Sequence, residues 1–253
     1  MIIVSLLNLS QEDIDLKLLR GDAFQVGKFV VHPVTLNRIV DIGYRNFSSY
    51  LGVVTAEIKD ILDSSVDPEI VKEYALYDIY VHSNNEELLE LFVNGLSWFL
   101  GEDPNDLSYV PDFGLVYGGI EESIDQVRLI DKKNFAEIVE IIKLQCGMNG
   151  SLKNTTYKAS NAKAQEIIEK INKGREIVDK HTKKSTDEIR FVDIISAVAA
   201  KSNSYTLLDI WTLTLPQFYN AYKRLEKISS YEVGILASVN GAKVDLKHWS
   251  SQI

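Results

Sequence analysis

The sequence predicts a protein that is mainly α with a minor β component (α+β) and a helical C-terminal domain. Three observations predict it. Apolar residues recur at three- and four-residue steps through most of the chain, the period of a helix with one buried face. Runs rich in β-branched and aromatic residues are few, short and bounded by turn formers. The composition is that of a folded protein: 253 residues, 45% hydrophobic and 25% charged, with 5 prolines, enough to bury a real core.

The elements follow in order. Ser10 is a natural N-cap, Glu12 and Asp13 suit a first helical turn, and Ile14, Leu18 and Leu19 form the stripe. Residues 24–33 read as one strand or a hairpin turning near Gly27, ended by Pro33. Thr35 caps a helix through Leu36, Ile39, Val40 and Ile42, and Gly43 breaks or bends it. Phe47, Leu51, Val54, Ile58, Ile61 and Leu62 continue at helical spacing. Asp67-Pro68 opens the next helix, carrying Ile70, Val71, Tyr74, Tyr77 and Val81. After Ser83-Asn84-Asn85, Glu86-Glu87 begin an apolar helix through Phe92, Leu96, Phe99 and Leu100, which Gly101 closes. Residues 101–126 hold the densest turn formers and enclose two extended pieces, 107–110 and 113–117; a further strand lies at 126–130. Asp131 caps a helix over 132–145, with Phe135, Ile138, Val139 and Ile142 on one face.

The composition then turns polar, and a linker at 149–159 separates an acidic α-rich domain with small β elements (1–148) from a helical domain (160–253). The second domain opens with a helix over 160–182 whose stripe of Ala164, Ile167, Ile168, Ile171 and Val178 is narrow. Ser185 or Thr186 caps the following helix, with Ile189, Val192, Ile195 and Val198 as its buried face. A short helical turn at 207–211 leads to Thr214-Leu215-Pro216, the start of the last strong helix, with Phe218, Tyr222 and Leu225 inward. Ser229-Ser230 divides that helix from 231–239, and Asn240-Gly241 ends it.

Charge excludes some functions. A net charge of -9 argues against a general nucleic-acid binder, which needs surplus Lys and Arg. Between Glu57 and Asp125 stand 17 acidic residues against Lys59 and Lys72, so the rest of the chain is net positive, a split that favours head-to-tail or interdomain contact. No apolar run approaches the ~20 residues that span a bilayer, and the opening MIIVSLLNL has no basic leader, so neither membrane insertion nor export is expected. The single Cys146 fits a reducing compartment.

No site motif emerges. The 4 histidines, His32, His82, His181 and His248, lack a second ligand at helical spacing, so no metal is expected. His82, at the end of a helix, suits the C-terminal dipole. Nucleophile elbow, phosphate loop, zinc-protease and dinucleotide signatures are all missing, so no catalytic residue and no cofactor are expected. The glycine-rich 114–119 reads as a turn or hairpin. Carboxylates abound over 57–125 without one buried pair standing out; an enzyme with a carboxylate-based site is the distant alternative. Basic residues over 158–184 alternate with acids, the pattern of a solvated helix face. What remains is protein binding. The apolar stripe of Ile167, Ile168, Ile171 and Val178 offers a seam for a partner helix, and Trp211, Tyr219, His248 and Trp249 are aromatic anchors of the kind that interfaces use.

Two stretches carry a resemblance. One is His32-Pro-Val-Thr-Leu-Asn-Arg-Ile-Val-Asp-Ile-Gly-Tyr44. The other runs from Asp193-Ile-Ile-Ser-Ala-Val-Ala-Ala-Lys201 through Ile210-Trp-Thr-Leu-Thr-Leu-Pro-Gln-Phe-Tyr-Asn-Ala-Tyr-Lys-Arg-Leu225 to Gly241-Ala-Lys-Val-Asp-Leu-Lys-His-Trp249. Together they resemble proteins from the structural-gene regions of tailed phages and prophages of Gram-positive bacteria, some of them similar to tail assembly chaperones. The resemblance implies a morphogenesis role in the host cytoplasm or the virion, with other phage structural proteins or further copies of the chain as partners. A structural subunit of the particle, in the tail or head-tail region, is the alternative it leaves open. Tail assembly chaperones are usually smaller, and the segment 101–130 has no counterpart among them. The shared positions are core-like, so the resemblance carries over no site.

Overall fold

Short-range chemistry sets most of the helix starts. The computed structural model describes residues 9–56, 76–81, 86–110, 114–118, 128–148, 190–241 and 248–251. In chain order these form α1 (Gln11–Arg20), the strands β1 (Phe24–Val26) and β2 (Phe29–Val31), α2 (Leu36–Ile42), α3 (Tyr44–Thr55), α4 (Leu76–Val81) and α5 (Glu86–Leu100). Then come β3 (Leu107–Val110), β4 (Gly114–Tyr117), β5 (Arg128–Ile130), α6 (Lys132–Gln145), α7 (Phe191–Lys201) and α8 (Leu215–Val239), with single helical turns at Pro104–Asp106 and Ile210–Thr212. The chain is mainly helical with a small antiparallel β component, and its C-terminal part is helical, as predicted. Ser10 caps α1 in a reciprocal box with Asp13; Thr35 accepts from the Arg38 amide at 3.2 Å and Asp131 from the Asn134 amide at 2.7 Å. The Thr214 hydroxyl and the Gln217 side chain cap α8 reciprocally, with Pro216 in its first turn.

The β1-β2 hairpin turns at Gly27 and pairs Phe24 with Val31 and Val26 with Phe29. All four side chains are buried, and the hairpin packs on α5 and α6. α3 and α5 lie closer to each other than side chains normally permit. Gly95 makes this possible, because a Cβ there would stand 3.2 Å from the Tyr50 Cα and from a Val54 methyl. Around them rings interlock: Tyr80 stacks on Phe92 at 4.1 Å, and Phe92 meets Phe135 edge-on at 5.6 Å.

β4 is the centre of an antiparallel sheet ordered β3-β4-β5, so the glycine-rich stretch is itself a strand. The Tyr77 hydroxyl pins that sheet to α4, donating to the Ile130 carbonyl at 2.8 Å and accepting from the Leu115 amide at 3.0 Å. Arg128 grips Glu102 with two hydrogen bonds, at 2.5 and 2.8 Å, and lies over the Phe29 ring.

One antiparallel bridge joins the front of the molecule to its C-terminal part. Thr35 pairs with Thr214, the Leu36 amide donates to the Leu213 carbonyl at 3.0 Å, and the Leu215 amide donates to the Val34 carbonyl at 2.8 Å. A single buried cluster then runs from Phe24, Val34 and Leu36 to Ile195, Ile210, Leu215 and Phe218.

The structure corrects two further readings of the sequence. α8 runs unbroken through Ser229-Ser230, because the Ser229 hydroxyl turns back onto the Leu225 carbonyl at 2.7 Å and satisfies itself within the helix. Val192 is 50% exposed; the buried face of α7 is Ile195, Val198 and Ala199. The expected helical continuation through Ile58, Ile61 and Leu62, the Asp67-Pro68 start, His82, the linker at 149–159, the helix over 160–182 and the Ser185 or Thr186 cap lie outside the described residues.

Two outcomes follow from this packing. Gly95→Val overfills the α3–α5 contact and should cost about 1–3 kcal/mol, read by chemical denaturation. Burial pushes the Cys146 thiol from an ordinary 9.0 up to about 12 and the Tyr117 phenol from 10.0 up to about 12. Both are held neutral in the fold and ionise first in the unfolded chain. Their contribution is therefore whole below pH about 9 and lost progressively towards pH about 12, so the denaturation midpoint should fall steeply across that window.

Candidate functional site

The bridge at Thr35 places α2 beside the turn at Ile210–Thr212, and the space between α2 and the start of α7 is left open. Leu36 and Ile39 of α2 and Ile195 of α7 form its buried floor. Gly43, at φ +84°, turns the chain from α2 into α3 and delivers Tyr44 to one wall. Phe191 joins it on that wall, and Trp211 completes the lining. The groove so enclosed has a volume of 690 Å³.

Its rim is apolar and faces solvent. Val40 is 59% exposed, Tyr44 57% and Val192 50%, beside a half-buried Trp211. Tyr44 stacks on Phe191 at 5.5 Å, and Phe191 meets Phe218 edge-on at 5.7 Å, so the wall is tied to the core. The charged group on the lining, Arg190, is already engaged: it holds the Asp193 carboxylate at 3.0 Å, keeping that acid below its usual range. The groove thus offers an apolar surface with a neutralised edge. It suits burial of apolar side chains.

The sequence-derived candidates separate. Trp211 lines the groove. Tyr219 lies behind it, half-buried against Phe218 at 5.7 Å, its phenol pushed up by burial. His248 and Trp249 stack on each other at 5.4 Å and belong to another face of α8, where Arg224 donates to the Trp249 carbonyl at 3.1 Å and the His248 ring meets Tyr231 at 5.7 Å. Ile167, Ile168, Ile171 and Val178 lie outside the described residues. Val40 and Tyr44 were not singled out from sequence. The signal was there: Leu36, Ile39, Val40 and Ile42 are four apolar residues in a seven-residue helix, more than one face can bury.

Among the described residues no His, Cys, Asp and Glu cluster could hold a metal, and no helix is long and apolar enough to cross a membrane. In the acidic segment the described Glu102 is committed to Arg128.

Comparison with known proteins ties this part of the chain to prophages. The family model described as the YomV second domain matches residues 181–253, which supply α7, Trp211 and α8. The chain is also similar to the SPbeta prophage-derived uncharacterized protein YomV of Bacillus subtilis (strain 168), at 26% identity over 151 residues. That match covers 58% of this chain and 58% of the relative, less than two thirds of its length. No solved structure matches. The similarity supports a phage-associated protein.

The rim and the floor of the groove should respond differently to substitution. Val192→Lys should leave stability within about 0.5 kcal/mol, whereas Ile195→Ala should cost about 2–5 kcal/mol; thermal denaturation of the two separates a solvent-facing position from a core one.

Proposed function

We propose that this protein works by binding other proteins during phage morphogenesis, in the manner of a tail assembly chaperone, and not by catalysis. The observation that carries the reading is the groove. Val40, Tyr44 and Val192 keep an apolar rim in water around Trp211, and such a surface is costly unless something docks on it. Supporting it, half of the groove comes from the region that is similar to a prophage protein domain. The occupant it suits is an apolar helix or extended segment of a phage structural protein, held through two or three anchors. The action belongs in the host cytoplasm and needs no cofactor, membrane or nucleic acid.

The test has two parts. Mass spectrometry of infected-cell lysate and purified particles should find the protein abundant in the former and missing from the latter. A fixed copy number in particles would replace the assembly-factor reading with that of a structural subunit. A tagged chain should retain a phage structural protein from the lysate, and Val192→Lys or Tyr44→Lys should reduce that retention at least tenfold while leaving the circular dichroism spectrum unchanged. Retention unaltered by both substitutions would remove the groove from the account.

A further inference from the structure

The second half of α8 carries an apolar stripe with no described residue to cover it. In the first half, Phe218, Tyr222 and Leu225 turn into the core. At 3.6 residues per turn the same face continues through Val233, Leu236 and Val239, which are 65%, 64% and 80% exposed. Lys201, at the end of α7, reaches α8 at Ser229, and the helix then runs beyond that level for three more turns. No charged residue occurs from Val233 to Val239. The turn at 248–251 packs on the opposite side, where Arg224 and Lys227 donate to the Ser251 carbonyl at 2.8 and 3.1 Å.

We propose that the exposed end of α8 docks in the groove of a second copy, linking chains head to tail. The inference rests on the groove being a protein-binding site, and it names one partner for it. Three features point to a second copy. First, the tail cannot reach its own groove: Phe191 on the groove wall meets Phe218 near the head of α8 at 5.7 Å, and the unbroken helix holds Val239 roughly 32 Å beyond Phe218. Second, neither surface has an unpaired charge to desolvate. Arg190, the charged residue on the groove's lining, is held by Asp193, and the tail from Val233 to Val239 carries no charged side chain. Third, the size sets the strength. Three helical turns in a groove bury roughly half or less of the ~800 Å² per partner of a stable interface, so the contact forms and breaks with concentration. That is what a site shared with a client requires. Because knob and groove are different surfaces, the association is heterologous and does not stop at two copies.

Sedimentation velocity of the full chain across a wide concentration range tests this. The wild-type protein should grow beyond a dimer as concentration rises. Leu236→Lys removes the knob and Val192→Lys removes the groove; each alone should sediment as a monomer with an unchanged circular dichroism spectrum. An equimolar mixture of the two should form a one-to-one heterodimer and stop there, since each supplies what the other lacks. Val233→Lys and Val40→Lys repeat the pair should either first variant fail to fold. A wild-type chain that stays monomeric throughout, or a mixture that does, overturns the proposal. So does a Val192→Lys chain that associates like the wild type while Leu236→Lys does not, which would mean a symmetric contact between two tails. Leu236→Lys keeps an intact groove. If it still retains the phage client when self-association has failed, the function proposed above stands without this inference.

Discussion

The pairing of Thr35 with Thr214 is the constraint on which the arrangement of the C-terminal part depends. Each threonine serves its own helix as an N-cap, an interaction worth about 1 kcal/mol. Each also lies in a short extended stretch that hydrogen-bonds to the other, so two helix starts are locked side by side. The direct energy is small, since each buried hydrogen bond contributes about 1 kcal/mol net. Its effect is positional. Leu36 and Leu215 are buried next to the bridge, and Trp211 is fixed just upstream, so α2, α7 and α8 meet at one place. The groove is the gap that α2 and the start of α7 leave beside Trp211 once the core beneath them is filled.

The rest of the core solves a different problem, that of keeping polar groups satisfied among aromatic rings. Tyr80 donates to the Val53 carbonyl, Tyr117 shares a hydrogen bond of 2.6 Å with Ser97, and Tyr77 bridges two strands. Each ring fills volume while its hydroxyl meets a specific partner, so these side chains fix orientation as well as occupancy. Arg38 does the same at the margin. It donates to the Pro33 carbonyl at 3.1 Å and to the Trp98 carbonyl, and lies 4.4 Å over the Trp98 ring.

What could be read from the sequence was local. The caps at Ser10, Thr35, Asp131 and Thr214, the turn at Gly27 and the closing Gly101 depend on residues a few positions apart, and all are where the sequence places them. The Thr35–Thr214 bridge is a single residue pair from distant parts of the chain, with no periodicity to announce it. Ser229-Ser230 misled because a serine's local hydrogen bond ends a helix in one setting and rides along it in another. The groove was half legible. Trp211 stood out as an aromatic anchor, whereas the exposure of Val40, Tyr44 and Val192 depends on how α2 and α7 are set against each other, which no single segment encodes.

Gly114 has a consequence for substitution. Its φ is +106°, and a Cβ there would come within 2.2 Å of the Tyr77 oxygen, the atom that pins the sheet. The two positions are therefore coupled. While Tyr77 holds the sheet, position 114 has no room for a Cβ, and its φ keeps any side chain strained there even if the hydroxyl is lost.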